Sequence, residues 1–96
     1  MKKKEEIREF LNDLQWNRET KSSLERKLQE FFEVDNSHTL CEFTDYDYKE
    51  IDYAFGWTTG NGACAEHYAD IEIWYLKMRQ KGRFLVTGAE IIDYVE

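Results

Sequence analysis

The residues whose types and spacing most clearly suggest a chemical role are carboxylates that alternate with aromatic side chains in the second half of the chain. Glu50 and Asp52 occupy alternate positions of one segment, and Asp70 and Glu72 do so in the next. If Gly60-Asn61-Gly62 is a three-residue hairpin loop, Glu50 faces Glu72 and Asp52 faces Asp70. Like charges directly opposite each other destabilise a sheet by about 0.2–1 kcal/mol per pair. The pattern therefore predicts either a solvated face that tolerates repulsion or a face that binds a cation or a basic partner.

The loop length follows from what each register would bury. A two-residue Asn61-Gly62 loop would place Trp57 opposite Glu66 and bury acids against apolar side chains, which is costly. The three-residue loop instead keeps the inward face apolar. Its expected inward pairs are Trp57 with Ala65, Phe55 with His67, Tyr53 with Ala69 and Ile51 with Ile71, and its outer face also sets Gly56 opposite Glu66.

This outer face supplies the predicted partner-binding residues. Aromatic side chains are enriched at protein interfaces, and charged groups steer partners of opposite sign. The predicted set is Glu50, Asp52, Glu66, Tyr68, Asp70, Glu72, Trp74 and Tyr48.

A second constellation has metal-ligand spacing. The histidines and cysteines form two pairs, His38-x-x-Cys41 and Cys64-x-x-His67, as in tetrahedral zinc sites. Two residues three apart on an extended strand point to opposite faces, which opposes this hypothesis. The alternative is a structural role, with Cys41 buried and facing inward, His67 partly buried and His38 at the surface. No other cofactor is indicated, although the acids could hold Mg²⁺ or Ca²⁺.

No catalytic signature accompanies these residues. We find no nucleophile with a base at catalytic spacing, and Gly60-Asn61-Gly62 lacks the Lys-Ser/Thr of a phosphate-binding loop. The sequence therefore predicts a protein that is not an enzyme.

The charge distribution also limits the partners. The 96 residues carry a net charge of −7, and the stretch from Glu42 to Ile73 contains eight acids against one base, Lys49. This excess disfavours direct binding of nucleic acid by that region and favours a basic protein surface. The sequence has no apolar run long enough to span a bilayer and no apolar core of a signal peptide, so we expect a cytoplasmic protein without a membrane partner.

The elements that position these residues follow from periodicity and capping patterns. Residues 3–14 predict an amphipathic helix, and a second helix should begin between Arg18 and Ser23 and end near residue 35. The two would form a helical hairpin, whose interleaved acids disfavour a DNA-reading role. A strand is expected from Thr39 to Thr44, before the central hairpin. Thr87-Gly88-Ala89-Glu90 matches a capping box and predicts a short C-terminal helix, with a terminal strand as the alternative.

Together these predictions describe one α+β domain over residues 1–96. A helical hairpin (1–35) would pack on a roughly four-stranded antiparallel meander (38–87), followed by a short helix (88–96). The expected function is a non-enzymatic acidic protein-binding module. In composition alone it is similar to phage and mobile-element inhibitors that mimic nucleic acid and dock on a basic groove of a nucleic-acid-handling protein. The alternatives are a small zinc- or cation-binding protein and a homo-oligomeric structural component of unknown stoichiometry.

Overall fold

The computed structural model describes residues 2–46, 51–60 and 66–96. These residues form two helices and five strands in an α+β fold. In chain order they are α1 (Lys4–Leu14), β1 (Arg18–Thr20), α2 (Lys21–Phe32), β2 (Cys41–Tyr46), β3 (Ile51–Thr58), β4 (Tyr68–Lys77) and β5 (Arg83–Val95).

The first helix confirms the periodicity argument. Ile7, Leu11 and Leu14 recur at helical spacing and are all buried against the sheet. Its charged residues lie on the opposite, exposed side. The helix ends at Leu14, where the chain turns sharply through Trp16, a residue with φ of 67°.

The second helix begins at Lys21, within the expected window. Thr20 is the N-cap: its hydroxyl accepts a hydrogen bond from the Ser23 amide at 3.1 Å, and the Ser23 hydroxyl accepts one from the Thr20 amide at 2.9 Å. This reciprocal arrangement is a capping box in which serine takes the usual place of glutamate. The helix ends at Phe32, followed by Glu33 in a left-handed conformation.

The predicted helical hairpin is wrong because a strand lies between the helices. Residues Arg18–Thr20 form β1, which pairs antiparallel with β5. Two backbone hydrogen bonds anchor the preceding turn to the same strand, from the Trp16 amide to the Val86 carbonyl at 2.7 Å and from the Val86 amide to the Asn17 carbonyl at 3.0 Å. Long-range pairing thus sets the conformation of a segment too short to show a strand pattern.

The sheet has five strands in the order β1-β5-β4-β3-β2, all antiparallel, and curves into a half-barrel. The predicted four-stranded meander with a closing helix is therefore wrong. Residues 83–95 form one long strand, whose backbone pairs with β4 from Lys77 to Tyr68. The capping-box match at Thr87 failed because Ala89 and Ile91 pack toward the core at strand spacing, and Tyr94 does so after the extra residue Ile92.

Two irregularities interrupt the regular pairing of β5 with β4. The register with β4 shifts between Asp70 and Ile71 and again between Trp74 and Tyr75, so that Ile92 and Thr87 have no direct partner. These are β-bulges, each of which adds a residue to one strand. Both extra residues lie in β5, so β4 keeps its alternation, with Trp74 on the outward side and Tyr75 in the core.

The central hairpin keeps its predicted faces but not its register. Trp57 lies opposite Ile71 rather than Ala65, and Phe55 lies opposite Ile73 rather than His67. The pairing is displaced by six residues, so β4 begins only at Tyr68. An even displacement preserves which side chains face inward, which is why the apolar pattern was informative although the loop length was wrong.

The core lies between the helices and the concave face of the half-barrel. Leu24 and Leu28 of α2 are fully buried there, together with the inward side chains of β3, β4 and β5. Within the described residues, neither helix is long and apolar enough to cross a membrane.

Candidate acidic docking face

The sheet face turned away from both helices carries the candidate site, which we call the outer face. Strand β4 alternates buried and partly exposed residues along its length. Its outward side chains are Tyr68, Asp70, Glu72 and Trp74. All four were predicted to lie on one face, and the structure brings them together.

Their acidic partners come from β5 and not from β3. Asp70 pairs with Asp93, and Glu72 pairs with Glu90. On the other side, Asp70 faces Thr58 and Glu72 faces Gly56, so the predicted pairs of Asp52 with Asp70 and of Glu50 with Glu72 are wrong. Two rows of carboxylates therefore run along neighbouring strands of the outer face.

The electrostatic consequence is a concentrated negative charge. Cβ atoms of directly opposed residues lie about 5 Å apart, and alternate residues along one strand lie about 7 Å apart. Within the described ranges, Asp70, Glu90 and Asp93 form no ion pair with a lysine or an arginine. No lysine or arginine of the described ranges therefore offsets the repulsion between Asp70 and Asp93.

One carboxylate of this array is fixed by hydrogen bonds. The Tyr68 hydroxyl donates a hydrogen bond to Asp93 Oδ2 at 2.8 Å, and the Tyr94 amide donates one to Asp93 Oδ1 at 3.0 Å. The hydrogen bond to Asp93 raises the pKa of Tyr68, with smaller contributions from burial and from the charges of Asp93 and Asp70. Tyr68 therefore stays protonated and acts as a donor at neutral pH.

Apolar side chains border the acids. Phe43 and Ile92 are 41% and 53% exposed, and a shallow depression of about 430 Å³ between them also touches Gly56, Asp70 and Glu72. Trp74 lies across Gly88, where an added Cβ would come within 3.4 Å of its ring. Large apolar groups exposed beside charges are typical of a surface that another molecule covers.

The other predicted partner-binding residues lie elsewhere or outside the described residues. Glu66 is exposed but precedes β4, so its predicted pairing with Gly56 is wrong. Asp52 lies opposite Asp45 of β2. Tyr48 and Glu50 fall outside the described residues.

Sequence reasoning missed Glu90, Ile92 and Asp93, because it placed them in a helix. The signal that would have found them is the β-branched and aromatic run from Ile91 to Val95, which favours a strand over a helix. The capping-box match at Thr87 outweighed that signal in the sequence argument.

The structure places the predicted zinc ligands differently from the structural roles that the sequence suggested for them. Cys41 is exposed on the outer face, so the expectation that it is buried and faces inward is wrong. His67 is exposed rather than partly buried, and the partly exposed His38 places Nδ1 3.1 Å from the Thr58 carbonyl oxygen. Cys64 lies outside the described residues, and the remainder contain no group of three potential ligands that could hold a metal ion. The four-residue site stays a prediction.

Comparisons with protein-family models, with curated proteins and with solved structures found no match to this chain. The chemistry of its surfaces is therefore the basis for inferring its function.

Proposed function

We propose that this protein is a non-enzymatic binding module whose acidic outer face docks on a basic protein surface. The observation that carries the proposal is the pairing of Asp70 with Asp93 and of Glu72 with Glu90 beside exposed apolar side chains. A sheet selected only for stability would place opposite charges or neutral side chains across these strands.

The free energies involved favour a partner that supplies cations. The Asp70–Asp93 pair costs the isolated protein about 0.2–1 kcal/mol, and lysines or arginines of a partner would convert that repulsion into attraction. Phe43, Trp74 and Ile92 would supply apolar contact area next to the charges. Because aromatic side chains often provide the strongest contacts of an interface, Trp74 is the expected anchor of this one.

The most specific form of the proposal is inhibition of a nucleic-acid-handling protein. A groove that binds phosphates presents clustered lysines and arginines, and a double row of carboxylates offers them a similar array of negative charge. Asp70, Glu72, Glu90 and Asp93 would then stand in for phosphates. This protein would compete with nucleic acid for its partner without binding nucleic acid on this face.

The test is a pull-down from the source cells with tagged protein that carries two charge reversals. The variant Asp70→Lys with Glu90→Lys changes the outer face. The matched control, Glu9→Lys with Glu30→Lys, makes the same change in net charge on exposed helix positions. We expect a nucleic-acid-handling protein to bind the wild type and the control, to be released by high salt or by added DNA, and not to bind the outer-face variant.

Circular dichroism and urea denaturation of both variants provide the folding control. Equal retention of the partner by the outer-face variant would rule out this face as the docking site. Equal loss from both variants would show that net charge alone, and not this arrangement of carboxylates, governs binding.

A further inference from the structure

The concave face of the sheet contains a second, chemically opposite site. Beyond the first turn of α2, the helices leave part of this face uncovered, and a cleft of about 350 Å³ opens there. Its floor consists of Phe55, Tyr75 and Phe84, and the turn between β4 and β5 forms one wall. The volume lies within the range of small-molecule sites, about 300–1,000 Å³.

The floor is a rigid aromatic cluster. The rings of Phe55 and Tyr75 stack with centroids 4.4 Å apart and planes 16° from parallel, and Phe84 lies 5.0 Å from each of them. All three residues are buried to more than nine-tenths, so packing with the core holds them in place. Because each ring is at most 7% exposed, the floor presents fixed ring edges to a ligand, which costs little conformational entropy.

The rim of the cleft is basic. Lys21 begins α2, Lys77 ends β4, Lys81 belongs to the following turn, and Arg83 begins β5. Against these four bases the lining contains one acid, Glu42. In a chain of net charge −7, this is a marked local excess of positive charge.

These cations are not used in ion pairs within the described parts of the chain, where the one ion pair joins Lys27 to Glu19. Lys77 instead lies over the ring of Tyr53, with Nζ 4.4 Å from the centroid. An adjoining depression of about 530 Å³ shares Lys21, Lys81 and Arg83 with the cleft. The same side chains therefore border two connected spaces, one with an aromatic floor and one without.

We propose that this cleft binds a nucleotide, with the base on the aromatic floor and the phosphate on the basic rim. An uncharged apolar ligand would not use the four cations, and inorganic phosphate would not use the rings. The ring edges of Tyr75 and Phe84 give the base an apolar contact, and charge-assisted hydrogen bonds to phosphate are among the strongest in proteins. The carboxylate of Glu42 can accept a hydrogen bond from an exocyclic amine or a ribose hydroxyl. This site lies on the opposite face from the acidic docking surface and does not depend on it.

The experiment is an NMR titration of isotope-labelled protein with AMP, adenosine and inorganic phosphate in turn. We expect AMP to bind at least about tenfold more tightly than either fragment, because only AMP engages both the floor and the rim. The backbone amide signals that shift should be those of residues 75–84. A riboadenylate hexamer in a parallel titration identifies the source of the nucleotide: weaker binding than AMP indicates a free nucleotide, and tighter binding at the same residues indicates the end of a strand.

Two charge variants complete the test. Lys81→Gln with Arg83→Gln should weaken AMP binding by about tenfold or more and leave adenosine binding unchanged. Lys3→Gln with Arg26→Gln, which removes two exposed cations outside the cleft, should leave both unchanged. The proposal is overturned if AMP binds no more tightly than phosphate, if the shifts map outside the cleft, or if the Lys81/Arg83 variant binds AMP as the wild type does.

Discussion

Neutralising one carboxylate of the outer face should stabilise the protein. Asp70→Asn removes the repulsion between Asp70 and Asp93 and leaves the hydrogen bond from Tyr68 to Asp93 in place. From the cost of a like-charged cross-strand pair, we expect the free energy of unfolding to rise by about 0.2–1 kcal/mol at pH 7. Most substitutions destabilise, so a gain at a partly buried position would be informative.

Urea denaturation followed by circular dichroism measures this change. For a domain of this size the gain corresponds to an increase of roughly 0.1–0.7 M in the urea midpoint. The increase should shrink in about 1 M salt, where the Debye length falls to about 3 Å. It should also vanish in the Asp93→Asn background, because the partner charge is then already absent.

Glu30→Gln is the matched control, since it makes the same change in net charge at an exposed position of α2. Arg26 and Lys27 precede Glu30 by four and three residues, so this substitution removes attraction and should cost a few tenths of a kcal/mol. If Asp70→Asn destabilises the protein, or shifts the midpoint in the same direction and by the same amount as Glu30→Gln, the repulsion argument for the outer face is refuted.

Two further predictions concern the concave side. Glu19 is only 3% exposed; Lys27 forms an ion pair with it, and the Ser23 hydroxyl donates a hydrogen bond to Glu19 Oε2 at 2.7 Å. Lys27→Met should therefore lower the free energy of unfolding, measured by urea denaturation, by about 1–3 kcal/mol. The control Arg26→Met should have little effect. Burial raises the pKa of Tyr75, with a smaller contribution from the charge of Glu42. The folded state thus favours the neutral phenol, and its contribution to stability is present below about pH 10 and is lost as pH rises through the raised pKa. Denaturation between roughly pH 9 and 11 should show this loss in the wild type and a smaller one in Tyr75→Phe.

Local patterns predicted the parts of the fold that depend on neighbouring residues. The stripe Ile7, Leu11 and Leu14 identified α1, because helical periodicity alone brings these side chains to one side. The alternation of Tyr53, Phe55 and Trp57 identified the inward face of β3 for the same kind of reason. Neither prediction depends on which element packs or pairs against the segment.

The failures share a physical cause, which is pairing between distant segments. The sequence of β1 is only three residues long, and its strand conformation exists because β5 pairs with it. The position of Glu72 opposite Glu90 depends on the length of the turn between β4 and β5 and on the bulge at Thr87, and no local rule specifies either. The acidic character of the outer face could therefore be predicted, whereas the identity of the paired carboxylates could not.

The position of β5 between β1 and β4 has a consequence for how the molecule folds. This strand pairs with β1 on one side and β4 on the other, and the Tyr94 hydroxyl donates a hydrogen bond to the Lys2 carbonyl at 3.0 Å. Residues separated by most of the chain must therefore meet before α1 can bury its apolar side. Forming such non-local contacts costs loop-closure entropy before the contacts stabilise the fold, and this slows folding. During synthesis, the first helix has no completed surface to pack on until residues 83–95 have left the ribosome, so its apolar stripe stays accessible to chaperones until then.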